Sequence, residues 1–389
     1  MKRFLALTLV GALSVAGGTG LAFGPNGPPP PSKPPATKGA PPASPGQRPP
    51  NQSPTQGKKA PPQAQKKAPA KPAKGDGCFD AFNAGNELVN AYLMMLASHY
   101  AYAPALGMTD RNNDTFSKKF KETFRRFGMK EFKLIANSSA EPFPSLTKGW
   151  AVRAMVFSND KVVVVSFRGS EMDPGQAPVD TWRNWVGTNL HTLLRAEKTL
   201  GPGVEVHDGF WTALDSVYKG LAAEIVRQGG FKGKKVFVTG HSLGGALATL
   251  CALRLQKDNH GSAAVYTYGS PRVGNDKFQA AFRLPHQRWV NQNDLVTQVP
   301  PEVAGYRPVG TLDHILPDGT VKRNDKEVAS PQDEALRFLE AAVLPPVAAV
   351  DAVAVRDAVA AHSPPLYSRA LYNNLPSALK SKVPDPPAK

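Results

Sequence analysis

Residues 234–255 read KKVFVTGHSLGGALATLCALRL, and no other stretch constrains this chain so tightly. An apolar run, Val236-Phe237-Val238, leads into Gly-His-Ser-Leu-Gly-Gly at 240–245. Apolar Ala246, Leu247, Leu250 and Leu253 then recur at helical spacing. A strand that turns directly into a helix through a serine needs small residues two positions to either side. A Cβ at Gly240 or Gly244 would crowd the backbone there. The new helix also aims its unpaired N–H groups and positive dipole end at the serine. The pattern is the G-x-S-x-G nucleophile elbow, with Ser242 as the expected nucleophile.

Serine is a poor nucleophile near neutral pH and needs a histidine base oriented by a carboxylate. In folds that use this elbow the partners follow in the order serine, acid, histidine. Four histidines come after Ser242. His260 lies beyond the end of the elbow helix, roughly 25 Å from its start at the helical rise, which is too remote. His286 precedes a strand beginning near Arg288 and therefore falls at the wrong edge of the sheet, opposite the carboxyl ends where ligands bind. His314 alternates with Leu312 and Leu316 in a hairpin strand and reads as structural. His362 sits in a loop after a long Ala/Val-rich stretch and is the expected base. For the acid, Asp294 directly follows a strand ending at Asn291, whereas Asp276 and Asp313 fit less well.

The surrounding pattern alternates strands and helices. Residues 79–101 carry dense apolar spacing and predict an opening helix. Lys161–Phe167 (KVVVVSF) is almost continuously apolar, as a central strand buried on both faces should be. Trp211–Val226 predicts a helix stopped by Gly229-Gly230. Ala263–Tyr268 and Arg288–Asn291 predict further strands, and Pro317–Thr320 a hairpin turn. The expectation is an α/β fold: a mostly parallel central sheet, helices on both faces, the elbow on a middle strand.

Composition separates this domain from what precedes it. Residues 1–22 have a basic start, an apolar stretch and small residues near Ala22, the pattern of a secretory signal peptide. Residues 23–77 hold almost no aliphatic side chain larger than Ala, and 24–77 contain 17 of the 38 prolines. Such a segment cannot bury enough apolar surface to offset chain entropy and is expected to be a disordered linker. It carries nine Lys and Arg against the single acid Asp76 and, with Lys2 and Arg3, accounts for ten of the sixteen net positive charges. An exported basic tail suits either an anionic envelope or polysaccharide, or simply a soluble spacer. The folded domain is expected over 78–375, with a flexible tail at 376–389. Cys78 and Cys251 provide no disulfide framework, although one bridge between them stays open. No His/Cys/Asp cluster has metal-ligand spacing, so no metal or cofactor is expected.

Five ordered motifs make a more specific resemblance. They are Phe167-Arg168-Gly169-Ser170, His207-Asp208-Gly209-Phe210, the elbow, Gly269-Ser270-Pro271-Arg272-Val273-Gly274-Asn275, and Asn291-x-x-Asp294 leading to Pro300-Pro301. In this order the chain resembles the class 3 (fungal-type) lipase family of the α/β-hydrolase superfamily, from the opening helix to near Tyr372. The resemblance implies Ser242 as nucleophile, Asp294 as orienting acid and His362 as base, with Tyr367 as the tyrosine commonly found after that histidine. It departs at Ala361, where the family commonly has an acid; His314, preceded by Asp313, is the fallback. The oxyanion hole would come from the backbone N–H of Leu243 and, by resemblance, from Ser170. Arg168, His207 and Arg272 read as scaffold.

The implied activity is hydrolysis of carboxylic esters of lipids by a secreted or envelope enzyme through an acyl-enzyme, the partner being a lipid ester at a lipid–water interface. Trp182 and Trp185, with Val186, would form the apolar face of a lid; packing of both tryptophans against the domain is the competing reading. The Ala/Val-rich stretch 331–361 is expected to border the acyl pocket. A non-lipid esterase, a phospholipase A1 and an inactive binding module on the same scaffold remain alternatives. No nucleic-acid partner is expected.

Overall fold

The computed structural model describes residues 87–102, 114–137, 152–170, 194–261, 263–325 and 356–387. The expected signal peptide and linker, Cys78, Trp182, Trp185 and most of the Ala/Val-rich stretch lie outside these residues.

Eight strands form one sheet. In chain order they are β1 (Glu131–Ala136), β2 (Arg153–Ser158), β3 (Val162–Phe167), β6 (Lys235–His241), β7 (Ala263–Tyr268), β8 (His286–Asn291), β9 (Thr311–Ile315) and β10 (Val321–Lys322), and this is also their spatial order. Strands β3, β6, β7, β8 and β9 pair in parallel; β1, β2 and β10 add antiparallel edges. A separate two-stranded ribbon joins β4 (Leu194–Ala196) to β5 (Glu205–His207). The elbow strand β6 lies between β3 and β7, in the middle of the parallel block.

Strand periodicity distributes the core. In β3, Val163 and Val165 enter one apolar cluster while Val162 and Val164 enter the other. In β6, Val236 and Val238 face the first cluster and Phe237 the second. Helices α3 (Asp208–Arg227) and α4 (Leu243–Lys257) cover the first face through Trp211, Leu214, Leu247 and Leu250. Helix α1 (Glu87–Tyr100), α2 (Asp114–Arg125) and α6 (Pro364–Asn373) cover the second. A further short helix, α5 (Asp276–Ala281), precedes β8. With the sheet buried on both faces, its central strands need continuous apolar runs rather than alternation.

Three features differ from the sequence expectation. Helix α2 and strands β1 and β2 were not anticipated; their patterns are short, and β1 is only half-buried. Strand β8 begins at His286, whose ring is buried with Nε2 2.9 Å from Thr267 Oγ1. Residues 376–387, expected to be a flexible tail, are docked. Short helix α7 (Ser377–Lys380) leads to Val383, which is buried in the second cluster, and Tyr92 donates to the carbonyl of Pro384 at 2.6 Å. One apolar anchor and one backbone acceptor hold a segment that composition alone describes as polar.

Candidate active site

Ser242 stands at φ 58°, ψ −132°, a conformation that L residues rarely adopt, between the end of β6 and the first residue of α4. The turn is possible because its glycines leave no room for anything else. A Cβ on Gly240 would lie 2.1 Å from the Gly244 carbonyl oxygen, and one on Gly244 would lie 2.4 Å from that of Phe167. Ser242 N–H donates to Tyr268 O at 2.9 Å, tying the elbow to β7. Ser242 O accepts from Gly245 N and Ala246 N, starting the helix ladder. Leu243 therefore occupies the first helical position, where backbone N–H groups point out of the helix start.

Asp294 and His362, 68 residues apart in sequence, meet beside this elbow. His362 Nδ1 is 2.9 Å from Asp294 Oδ2 and 3.1 Å from Oδ1, with both residues buried. The carboxylate receives two further donors: Tyr367 Oη at 2.6 Å to Oδ2 and Val296 N–H at 3.0 Å to Oδ1. Tyr367 in turn accepts the Asn291 N–H at 2.9 Å, while Asn291 Nδ2 donates to Ala361 O at 2.8 Å. Strand β8 therefore holds both ends of the His362–Asp294 pair: its last residue grips the backbone just before His362. Desolvation by burial, followed by the neighbouring charge of Asp294, drives the Tyr367 phenol well above its ordinary range, so it stays a donor. Gly269, at φ +56°, lies against the pair; a Cβ there would be 2.7 Å from Asp294 Oδ2 and 2.8 Å from His362 Nδ1.

His314 is placed elsewhere. Its Nε2 is 2.7 Å from Gln292 O and its Nδ1 3.1 Å from Asp325 Oδ2, so both ring nitrogens are engaged in holding the β9–β10 hairpin. Asp313 is occupied by Arg323 at 2.7 Å. Ser170 is buried in the turn after β3, which runs along the elbow because Phe167 pairs with Gly240 in the β3–β6 register. His207 caps α3, accepting from Phe210 N at 3.3 Å with its ring stacked on Phe210. Arg272 donates to the carbonyls of Gln298 and Pro300, fixing the loop after Asp294. Trp182 and Trp185 lie outside the described residues.

Two residues of this site were missed by sequence reasoning. Tyr102 Oη lies 2.7 Å from His241 Nδ1, and His241 Nε2 lies 2.7 Å from the His362 carbonyl oxygen. The parity of β6 could have placed His241: it is in phase with Phe237, hence on the α1 face, where Tyr102 follows the helix. For Tyr102 itself no sequence signal exists, since the contact spans 139 residues.

Comparison with known proteins agrees with this architecture. Residues 164–304 match the family profile of class 3 lipases, which takes in Ser170, Ser242 and Asp294 but stops short of His362. A lipase of Rhizomucor miehei is 36% identical over 169 residues, 40% of this chain and 43% of its own length. A secreted mono- and diacylglycerol lipase of Fusarium solani is 39% identical over 158 residues, 38% of this chain and 42% of its own. The chain thus spans less than half the length of these curated relatives. Among solved structures, a propeptide complex of the Rhizomucor miehei lipase superposes with a TM-score of 0.51 at 24% identity, over 72% of this chain and 78% of that one. That likeness shows the fold alone, the α/β-hydrolase fold.

Proposed function

We propose that this chain, whose residues 164–304 match the class 3 lipase family, is a serine hydrolase that cleaves carboxylic esters of lipids. The observation that carries the proposal is the buried His362–Asp294 pair beside the strained elbow serine. A carboxylate only accepts, so His362 Nδ1 carries the hydrogen directed at Asp294, and Nε2 is left with the lone pair a general base needs. Ser242 attacks the ester carbonyl as His362 takes its proton. The proton then passes to the leaving alcohol, giving an acyl-enzyme that water hydrolyses by the same route. Asp294, held by Tyr367 and Val296 as well as His362, stabilises the imidazolium without becoming protonated. The backbone N–H of Leu243 and Ser170 supply the oxyanion donors.

The basic, signal-like start of the chain supports export, and the Fusarium relative is named as secreted. Lipid esters are the preferred substrate class because the two relatives reported above are named as lipases. The decisive experiment measures hydrolysis of triacylglycerol emulsions and soluble aryl esters, with fluorophosphonate labelling in parallel. Ser242→Ala should lower turnover by several orders of magnitude and abolish labelling. Turnover confined to soluble esters would move the assignment to a non-lipid esterase; an unlabelled, folded wild type would refute serine hydrolysis altogether.

A further inference from the structure

Two consecutive carbonyls of the His362 loop are gripped from two different strands. Asn291, the last residue of β8, donates from Nδ2 to Ala361 O at 2.8 Å. His241, the last residue of β6, has Nε2 2.7 Å from His362 O. The second grip comes from the chain neighbour of Ser242, so one residue and one ring connect the elbow serine to the backbone of His362. The same ring packs against its surroundings: its centroid is 4.4 Å from that of His362 and, edge-on, 5.6 Å from that of Tyr367. Its other nitrogen, Nδ1, is 2.7 Å from Tyr102 Oη. A Cβ on Gly169 would overlap that oxygen, so the glycine after Arg168 keeps open the space the phenol fills.

The hydrogens on the ring follow from its partners. The His362 carbonyl only accepts, so His241 Nε2 carries a hydrogen. Desolvation by burial first, and the nearby His362 second, push His241 well below the ordinary histidine range, and the ring stays neutral. Nδ1 is then an acceptor and takes the hydroxyl hydrogen of Tyr102. Both nitrogens are committed, so His241 keeps no lone pair with which to compete for the serine proton. A buried ring held at both nitrogens has one orientation, and what it holds is the carbonyl of His362.

We propose that His241 is a positioning residue: its Nε2–H fixes the His362 backbone at a set distance from Ser242, and Tyr102 fixes the ring that does so. This role rests on Ser242 and His362 being nucleophile and base. Asp294 orients the imidazole through Nδ1, which leaves the distance between the His362 backbone and the elbow to other contacts. Asn291 and His241 make them, and His241 is the one attached to the elbow itself. Misplacement on the scale of 1 Å costs about 10²-fold in rate, so releasing one of the two grips should cost about ten- to hundredfold.

The test compares the full wild-type chain with His241→Leu and His241→Gln, by soluble-ester kinetics, fluorophosphonate labelling and thermal melting. Leu fills similar space and cannot donate, whereas the Gln amide carries a donor near the position of Nε2. Folded His241→Leu should lose about ten- to hundredfold in kcat with KM within about twofold, and His241→Gln should recover most of that loss. The proton NMR signal of the His362–Asp294 hydrogen should broaden in the Leu variant and stay sharp in the Gln variant. A merely structural ring would lower the thermal midpoint in both variants and leave kcat and that signal in place. A kcat of folded His241→Leu within about threefold of wild type overturns the proposal, and so does a Gln variant as impaired as the Leu variant. Nitrogen-15 NMR of wild-type His241 is a check that needs no variant to fold: a neutral ring protonated at Nε2 supports the proposal, and the opposite tautomer overturns it. A folded wild type that does not label overturns the nucleophile assignment and the positioning role together. A labelling wild type with an unimpaired Leu variant overturns the positioning role alone.

Discussion

Replacing Gly269 by Ala adds one methyl group at the most sensitive point of the site. Gly269 directly follows β7 at φ +56°, and the new Cβ would lie 2.7 Å from Asp294 Oδ2, 2.8 Å from His362 Cε1 and 2.8 Å from His362 Nδ1. Two separable costs follow. Placing an L side chain in the left-handed region costs about 1–2 kcal/mol. Forcing a methyl into a filled site costs about 1–3 kcal/mol more. Ordinary contact begins near 3.4 Å, so both partners must retreat by several tenths of an ångström. That retreat wedges open a His362–Asp294 bond of 2.9 Å. Misplacement on the scale of 1 Å costs about 10²-fold in rate, and loss of the orienting acid up to about 10⁴-fold. The expected fall in kcat/KM on a soluble ester therefore lies between about 10² and 10⁴, with the folded fraction verified by thermal melting. Gly128→Ala is the matched control: its φ is +75°, yet nothing lies within 4 Å of the added Cβ. It should pay the backbone term alone and keep wild-type activity. If folded Gly269→Ala retains activity within about threefold of Gly128→Ala, this glycine does not space the His362–Asp294 pair for turnover.

Two further outcomes follow from the same contacts. Tyr367→Phe strands the buried Asn291 N–H and removes a charge-assisted bond to Asp294, so urea denaturation should show a loss of about 1–3 kcal/mol, with kcat down about tenfold; a loss below about 0.5 kcal/mol would contradict the assignment. Burial holds His99 down to about 4, and burial with the Arg288 charge holds His286 down to about 3, against an ordinary 6.5. Because both folded values are depressed, the unfolded chain binds protons first on acidification. Stability complete above pH 6.5 should then decline as pH falls towards 4 and 3, by at most about 1.4 kcal/mol per pH unit for each histidine. The urea midpoint of His99→Gln should change less between pH 7 and pH 5 than that of the wild type, and an equal change would exclude His99 as a contributor.

Much of the site was legible because its constraints are local. Glycines at 240 and 244, an apolar strand before Ser242 and a helical pattern after it all act within about twenty residues. Strand β3 was readable for the same reason: six consecutive buried residues leave few alternatives to a central strand. Asp294 could be placed by its position just past a strand end. The choice between His362 and His314 was another matter, since both follow the acid and both lie near plausible partners. Packing settles their geometry: His314 is spent on Gln292 and Asp325, while Asn291 and Tyr367 bring the His362 loop back to β8.

The sequence alone determined the elements that depend on short-range periodicity and on missing Cβ atoms: the strand–serine–helix elbow, the parallel block around it, and the place of Asp294 just past a strand end. Tertiary structure decided which distant polar groups share a hydrogen. Tyr102 with the His241 ring, that ring with the His362 backbone carbonyl, and Tyr367 with Asp294 join residues 139, 121 and 73 positions apart. Such pairs leave no periodic trace in the chain, because the partners of a buried polar atom are set by how helices and strands stack, not by what lies beside it in sequence.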